Sequence, residues 1–290
     1  MLSRRALLLW LAGSSVAGLS GLAGCGKLGG QKVAEIKFDL GKNIVDTAKA
    51  SGVPSFQVSE TAGLIDYSIN GIPKDVVAYY TRPGYEINWR PIFAFTMYAD
   101  RDISPNLSVE TATLQFDNRT VKTHAEAQAL IEQTIAQFQR GKWQRYSDPE
   151  WDVLLTGRSS MLDEHGHIGG ELNTIDPAYK IPAEDWPLVA DESPTWRWVG
   201  DGVLASLHVL GYKSSSGLDY TITLDFDLLD VKLKRDAENL AQKHKAGDAK
   251  GWNSTAQYEA DKKNRAALNK RLIENAIKRG DAVVSPSPLK

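Results

Sequence analysis

Residues 111–117 read T-A-T-L-Q-F-D and residues 221–227 read T-I-T-L-D-F-D, five of seven agreeing at an offset of 110. In both, polar and apolar residues alternate, the pattern of a strand with one face buried. Ala112, Leu114 and Phe116 form the apolar side of the first. The same offset sets Phe93, Phe95 and Met97 of I-F-A-F-T-M-Y-A (92–99) against Val203, Ala205 and Leu207 of G-V-L-A-S-L-H-V-L (202–210). Downstream it sets Ala127 and Leu130 against Ala237 and Leu240. The sequence therefore predicts an α+β fold with two β-β-α units, each a hairpin or meander of antiparallel strands covered by a helix. Two unrelated amphipathic strands would also produce such a match, because alternating threonine and apolar residues suit any half-buried strand.

The boundaries around these units follow from capping and turn chemistry. Thr123-His124-Ala125-Glu126 has capping-box spacing and opens a helix with Ala127, Leu130, Ile131, Ile135 and Phe138 as its stripe, closed by Gly141. A second helix is predicted over residues 231–246, ended by Gly247. A C-terminal helix follows Ser254-Thr255-Ala256-Gln257 and runs to Arg279, with Leu268, Leu272, Ala276 and Ile277 on its apolar side and Gly280 after it. Residues 75–81 (D-V-V-A-Y-Y-T) read as a further strand and Tyr212 to Gly217 as a turn. The predicted organisation is a signal peptide at 1–24, a tether at 25–31 and a first α+β unit at 32–150. An irregular connection at 151–195 follows, with short elements near Trp151–Leu155 and Trp186–Ala190. A second unit with the C-terminal helix spans 196–280, and residues 281–290 form a disordered tail.

Composition is that of an ordinary folded chain, with 42% hydrophobic and 24% charged residues. The formal charge is −2, and removal of Arg4 and Arg5 with a leader leaves 32 of the 34 basic side chains against 36 acidic ones, which argues against a nucleic-acid partner. Eight tryptophans are many for 290 residues. Most are expected to fill the space between sheet and helices, with one or two at most left as anchors for a partner.

The chain has one cysteine, Cys25, and it follows a positive start (M-L-S-R-R), an apolar middle (A-L-L-L-W-L) and a run of small residues. That is the plan of a bacterial secretory signal, and its apolar part is too short to span a bilayer. Leu22-Ala23-Gly24-Cys25 resembles the lipobox of bacterial lipoproteins at every position. The resemblance implies diacylglycerol on the Cys25 thiol and cleavage before it. With Gly26 rather than Asp next, it also implies delivery to the outer membrane, facing the periplasm. Ser3-Arg4-Arg5 also resembles a twin-arginine signal, so the export route stays open.

Catalytic chemistry is weakly represented. Asp163-Glu164-His165-Gly166-His167 brings two imidazoles and two carboxylates together, the ligand types of a zinc site, yet glycines make it a turn. His124, His208 and His244 are the other imidazoles. His208 falls on the outer face of a strand, and His244 in a last helical turn, where a cation suits the dipole. Asp225, Asp227 and Asp230 form an acidic run between strand and helix that could bind a cation or act as acid and base, although helix-start carboxylates are commonly just caps. No catalytic, cofactor-binding or metal residue is assigned, and no cofactor is expected. Cys25 is the one assigned site, for lipidation.

Lipoproteins with an α+β body and no catalytic set resemble the immunity proteins that accompany type VI secretion effectors, including those neutralising periplasmic phospholipases. That resemblance implies a membrane-anchored binding protein with a toxic effector as partner. An envelope-assembly or scaffold lipoprotein is the alternative, and a metal-dependent hydrolase using residues 163–167 a further one.

Overall fold

A computed structural model describes residues 35–148, 153–169, 175–215 and 217–285. The described residues all belong to one compact unit. Cys25 and its leader lie outside the described residues, as do Trp151 and residues 286–290.

In chain order the elements are β1 (Glu35–Phe38), α1 (Ile44–Ala50), β2 (Gln57–Thr61), β3 (Leu64–Asn70), β4 (Val77–Tyr80), β5 (Ile87–Trp89), β6 (Ile92–Asp100), β7 (Thr111–Phe116) and α2 (His124–Arg140). There follow β8 (Gln144–Arg145), β9 (Leu154–Leu155), α3 (Trp186–Asp191), β10 (Thr195–Gly200), β11 (Val203–Ser214), β12 (Gly217–Leu228), α4 (Leu229–Asp248), α5 (Ser254–Arg279) and β13 (Val283–Val284). The fold is α+β. One eight-stranded sheet, in the order β2-β3-β6-β7-β12-β11-β10-β8, is antiparallel throughout, and a small sheet β1-β4-β5 joins a parallel pair to an antiparallel one.

Both copies of the repeated heptapeptide are strands, and they are neighbours. Leu114 faces Leu224, with Thr113 opposite Asp225 and Gln115 opposite Thr223, so the register is symmetric about that leucine pair at the offset of 110. The flanking strands are less symmetric. Phe95 faces Leu114 in one half, whereas Leu207 faces Leu224 in the other, so β11 aligns with β6 at an offset of 112 rather than 110. The second hairpin is tighter than expected, because residues 212–214, read as turn, continue β11. A register irregularity between Ile92 and Ala94 also corrects the first strand. Phe93 turns outward under the Arg119 guanidinium, and Ile92 takes the buried place.

The apolar side of the large sheet carries the core. Phe38 of β1 packs on Phe95 and Phe226, and Tyr80 of β4 stacks on Phe226 with ring centroids 4.5 Å apart. The α2 helix lays Ala127, Ile131, Ile135 and Phe138 on the same side, Phe138 stacking on Trp198 at 3.9 Å. Its capping box is complete, since Thr123 accepts from Glu126 N while the Glu126 side chain accepts from Thr123 N. Trp89, Trp143, Trp186, Trp196 and Trp198 are all buried; Trp252 is exposed.

The second helix departs from expectation. No residue separates β12 from α4, whereas residues 117–123 separate β7 from α2 and let that helix turn back over the sheet. Beyond Leu229 and Leu233, which touch Tyr146, Val199 and Leu204, α4 is solvated, with Ala237 and Leu240 exposed. Its N-cap, Leu228, has no side-chain cap, so the Asp225–Asp230 run does not cap it. The α5 helix is capped by Asn253 rather than Ser254 and ends at Gly280 in the left-handed conformation. Its Leu272 and Ala276 are buried against Leu155, while Ile277, expected on that side, is exposed. The 281–290 stretch, read as a disordered tail, supplies β13, which pairs with β9.

Candidate functional site

The alternation that buries Leu114, Leu224 and Phe226 sends Thr111, Thr113, Thr223, Asp225 and Asp227 to the opposite, polar face of the large sheet. Neighbouring strands add Tyr98 and Asp66 on one side and Ser206, His208, Thr195 and Arg197 on the other. At the centre runs a line of polar side chains across four strands. The Thr113 hydroxyl donates to Asp225 Oδ1 at 2.6 Å, and Asp225 Oδ2 lies 3.5 Å from His208 Nε2. His208 Nδ1 is 3.0 Å from Thr195 Oγ1. One row along, Thr111 donates to Asp227 Oδ1 at 2.8 Å.

Electrostatics at this line follow from its setting in the middle of a sheet. Burial pushes the Asp225 carboxyl up to about 6, opposed by the hydrogen bonds from Thr113 and Thr223. Burial also drives His208 down to about 4, helped by the Arg197 guanidinium and opposed by Asp227. At neutral pH the imidazole is uncharged and Asp225 is ionised. With the imidazole proton on Nε2 toward Asp225, Nδ1 is free to accept the Thr195 hydroxyl.

At one end of the face, Glu110 is buried. Its Oε2 accepts from Arg235 Nη2 of α4 at 2.7 Å, and Arg235 also lies 3.8 Å from Asp100. Burial raises the Glu110 carboxyl, with Arg235 pulling the other way. Glu110, Thr111, Asp227, Lys232, Arg235 and Asp236 line a cavity of about 80 Å³ there.

A hydroxyl, an imidazole and a carboxylate in line are the parts of a nucleophile relay. Acyl transfer also needs donors aimed at a developing oxyanion, and the backbone N–H groups of strands inside a sheet are committed to the ladders. What the face offers instead is a set of acceptors and donors held in fixed positions by paired strands.

The residues singled out from sequence fall in several places. The 163–167 segment is a turn, with Asp163 Oδ1 accepting from His165 N and His167 N, and Gly166 N donating to Asp163 O. Glu164 pairs with Arg271 of α5, and its carbonyl accepts from Asn275. Among the described residues no group of three or more His, Cys, Asp or Glu side chains could hold a metal ion. His124 bonds the Tyr220 hydroxyl at 2.5 Å and His244 packs edge-on to Tyr258. Asp225 joins the central line and Asp227 the row beside it; Asp230 lies apart in the first turn of α4. Thr113, Thr195, Glu110 and Arg235 were not singled out. The signal for the first lay in the repeat itself, whose five shared letters include its two outward threonines. No family model matches the chain, nor does any curated protein or solved structure, so the reading of this face rests on its own residues.

Proposed function

We propose that the chain is a lipid-anchored protein of the bacterial envelope, tethered through Cys25 and facing the periplasm, which acts by binding a protein partner on the polar face of its large sheet. The observation that carries this reading is the Thr113–Asp225–His208–Thr195 line, partly exposed on strands whose other side is fully buried. Polar groups fixed in advance lose little conformational freedom on binding. Eight strands at about 4.8 Å spacing give a face roughly 35 Å wide, wide enough for one side of a standard interface of about 800 Å² per partner. The occupant fitting the lipobox and this face is a secreted toxic effector, such as a phospholipase, neutralised as it reaches the membrane. Lipid tethering raises the binder's effective concentration there.

Two measurements test this. Fatty-acid label should enter the wild-type chain and not Cys25→Ser. The partner captured by the wild type should be held at least tenfold more weakly by an Asp225→Asn, His208→Ala double variant, about 1.4 kcal/mol, with parallel loss of protection against its toxicity. Equal capture by that variant, or multiple-turnover lipid hydrolysis by the purified protein with no partner bound, would overturn the reading.

A further inference from the structure

The turn between α4 and α5 is fixed by several hydrogen bonds. Lys250 N and Trp252 N both donate to Gly247 O, Ser254 N to Asp248 Oδ1, Ser254 Oγ to His244 O, and Ala256 N to Asn253 Oδ1. Gly247 has no room for a side chain, since a Cβ there would meet Ser254 Oγ at 2.5 Å and the Trp252 ring at 3.4 Å. This ordered turn nevertheless leaves Trp252 68% exposed. Leu240, His244 and Gly247 share one face of α4 by helical spacing. Trp252 lies over Gly247 and Tyr258 against His244, so Leu240, Tyr258 and Trp252 make one half-open apolar strip. The last apolar contact of α4 with the sheet is at Leu233 and its last ion pair there is at Arg235, roughly 18 Å along the helix from Gly247 at 1.5 Å per residue. The tip therefore stands clear of the core.

Charge at the tip has the opposite sign to the chain as a whole. Lys243, Lys245, Lys250, Lys262 and Lys263 are exposed and form no ion pair among the described residues, against Asp248, Glu259 and Asp261. Asp248 is engaged with Ser254 N, and Lys250 Nζ sits 6.0 Å from the Trp252 ring centroid. Tryptophan and tyrosine with a polar end and an apolar body, ringed by lysines, match the headgroup region of an anionic bilayer.

We propose that the α4–α5 tip is a contact site for an anionic lipid surface, with Trp252 and Tyr258 seated among the headgroups and the lysines facing their phosphates. The proposal takes its setting from the envelope reading above, since the ten residue steps from Cys25 to Glu35 reach at most about 35 Å and keep the body close to the membrane. Its test is independent of lipidation and of any partner. The chain from Gly26, which retains the whole compact unit, is sedimented with vesicles of phosphatidylethanolamine and phosphatidylglycerol and, separately, with phosphatidylcholine alone. It should bind the first and not the second, and lose binding as salt is raised. Lys245→Gln and Lys250→Gln should each weaken binding about fivefold, and Trp252→Ser by at least as much, with unchanged thermal midpoints. Binding to neither vesicle, equal binding to both, or binding untouched by all three substitutions would overturn the proposal. So would a Trp252→Ser variant that sediments normally but loses a captured protein, which would mark the tip as a protein contact. Failure of fatty-acid labelling at Cys25 would leave the vesicle result standing on its own.

Discussion

The α2 and α4 helices follow equivalent strands, yet one builds the core and the other leaves it. After β7, seven residues carry the chain back so that α2 buries Ala127, Ile131, Ile135 and Phe138 on the sheet. After β12 the chain passes straight into α4, which buries little beyond its first turns. The difference teaches that a helix needs both a stripe of large apolar side chains and a connection long enough to reverse direction. Position 237 and position 127 are both alanine, but only one is buried.

The sharpest way to break this comparison is to truncate one apolar side chain of each helix. Phe138→Ala should cost about 3–5 kcal/mol, because the ring is fully buried and stacked on Trp198. Leu240→Ala should stay within about 0.5 kcal/mol. Urea unfolding reads both, and similar losses would mean that α4 contributes to the core as α2 does.

Next in size is a pH effect on the two central strands, where Gln115 of the first half corresponds to Asp225 of the second. Asp225 has a folded value of about 6, above its ordinary one, so the folded state holds the proton and stability falls as pH rises from 4 to 6. His208 has a folded value of about 4, below its ordinary one, so stability falls as pH drops from 6.5 to 4. The two slopes oppose each other, so the contributions of this pair should largely cancel in that window. Asp225→Gln, which installs the first half's residue, should unmask the histidine slope, with stability decreasing toward pH 4. His208→Gln should unmask the carboxylate slope, with stability increasing toward pH 4. Denaturation midpoints measured from pH 4 to 7 decide; parallel curves for both variants would remove the opposed pair.

The smallest effect distinguishes the helix starts. Thr123→Ala should cost about 1 kcal/mol by breaking the capping box of α2. Asp230→Ala should cost about 0.5 kcal/mol, being only a dipole contribution in the first turn of the uncapped α4. Equal losses by chemical denaturation would contradict the difference in capping.

Local chemistry made much of this legible. The heptapeptides, the Thr123 box and the glycines at 141 and 280 are short-range signals, and they stand where the sequence places them. The missing loop before α4 also had a sequence signal, since Asp227-Leu228-Leu229-Asp230 contains no glycine or proline. Elements β1, α1, β2, β3 and β5 were not read from the sequence, being short or polar; β2 is exposed at every position. The polar line was out of reach for a different reason. Thr113 and Asp225 are 112 residues apart, and Thr195 meets His208 only through the β10–β11 register. Alternation tells which side a residue takes, but not which strand will lie beside it.

The symmetric register about Leu114 and Leu224 has an evolutionary and practical consequence. It is the geometry of an isologous interface, in which the same patch meets itself across a two-fold axis, here drawn within a single chain. Each half supplies the cover for the other's open strand edge. A half-chain ending after α2 would expose β7 along its whole length, an edge already shaped to pair with its own copy. Such a fragment should assemble into dimers through β7. The full chain would then be a dimer made permanent by fusion, its second helix freed from covering the sheet.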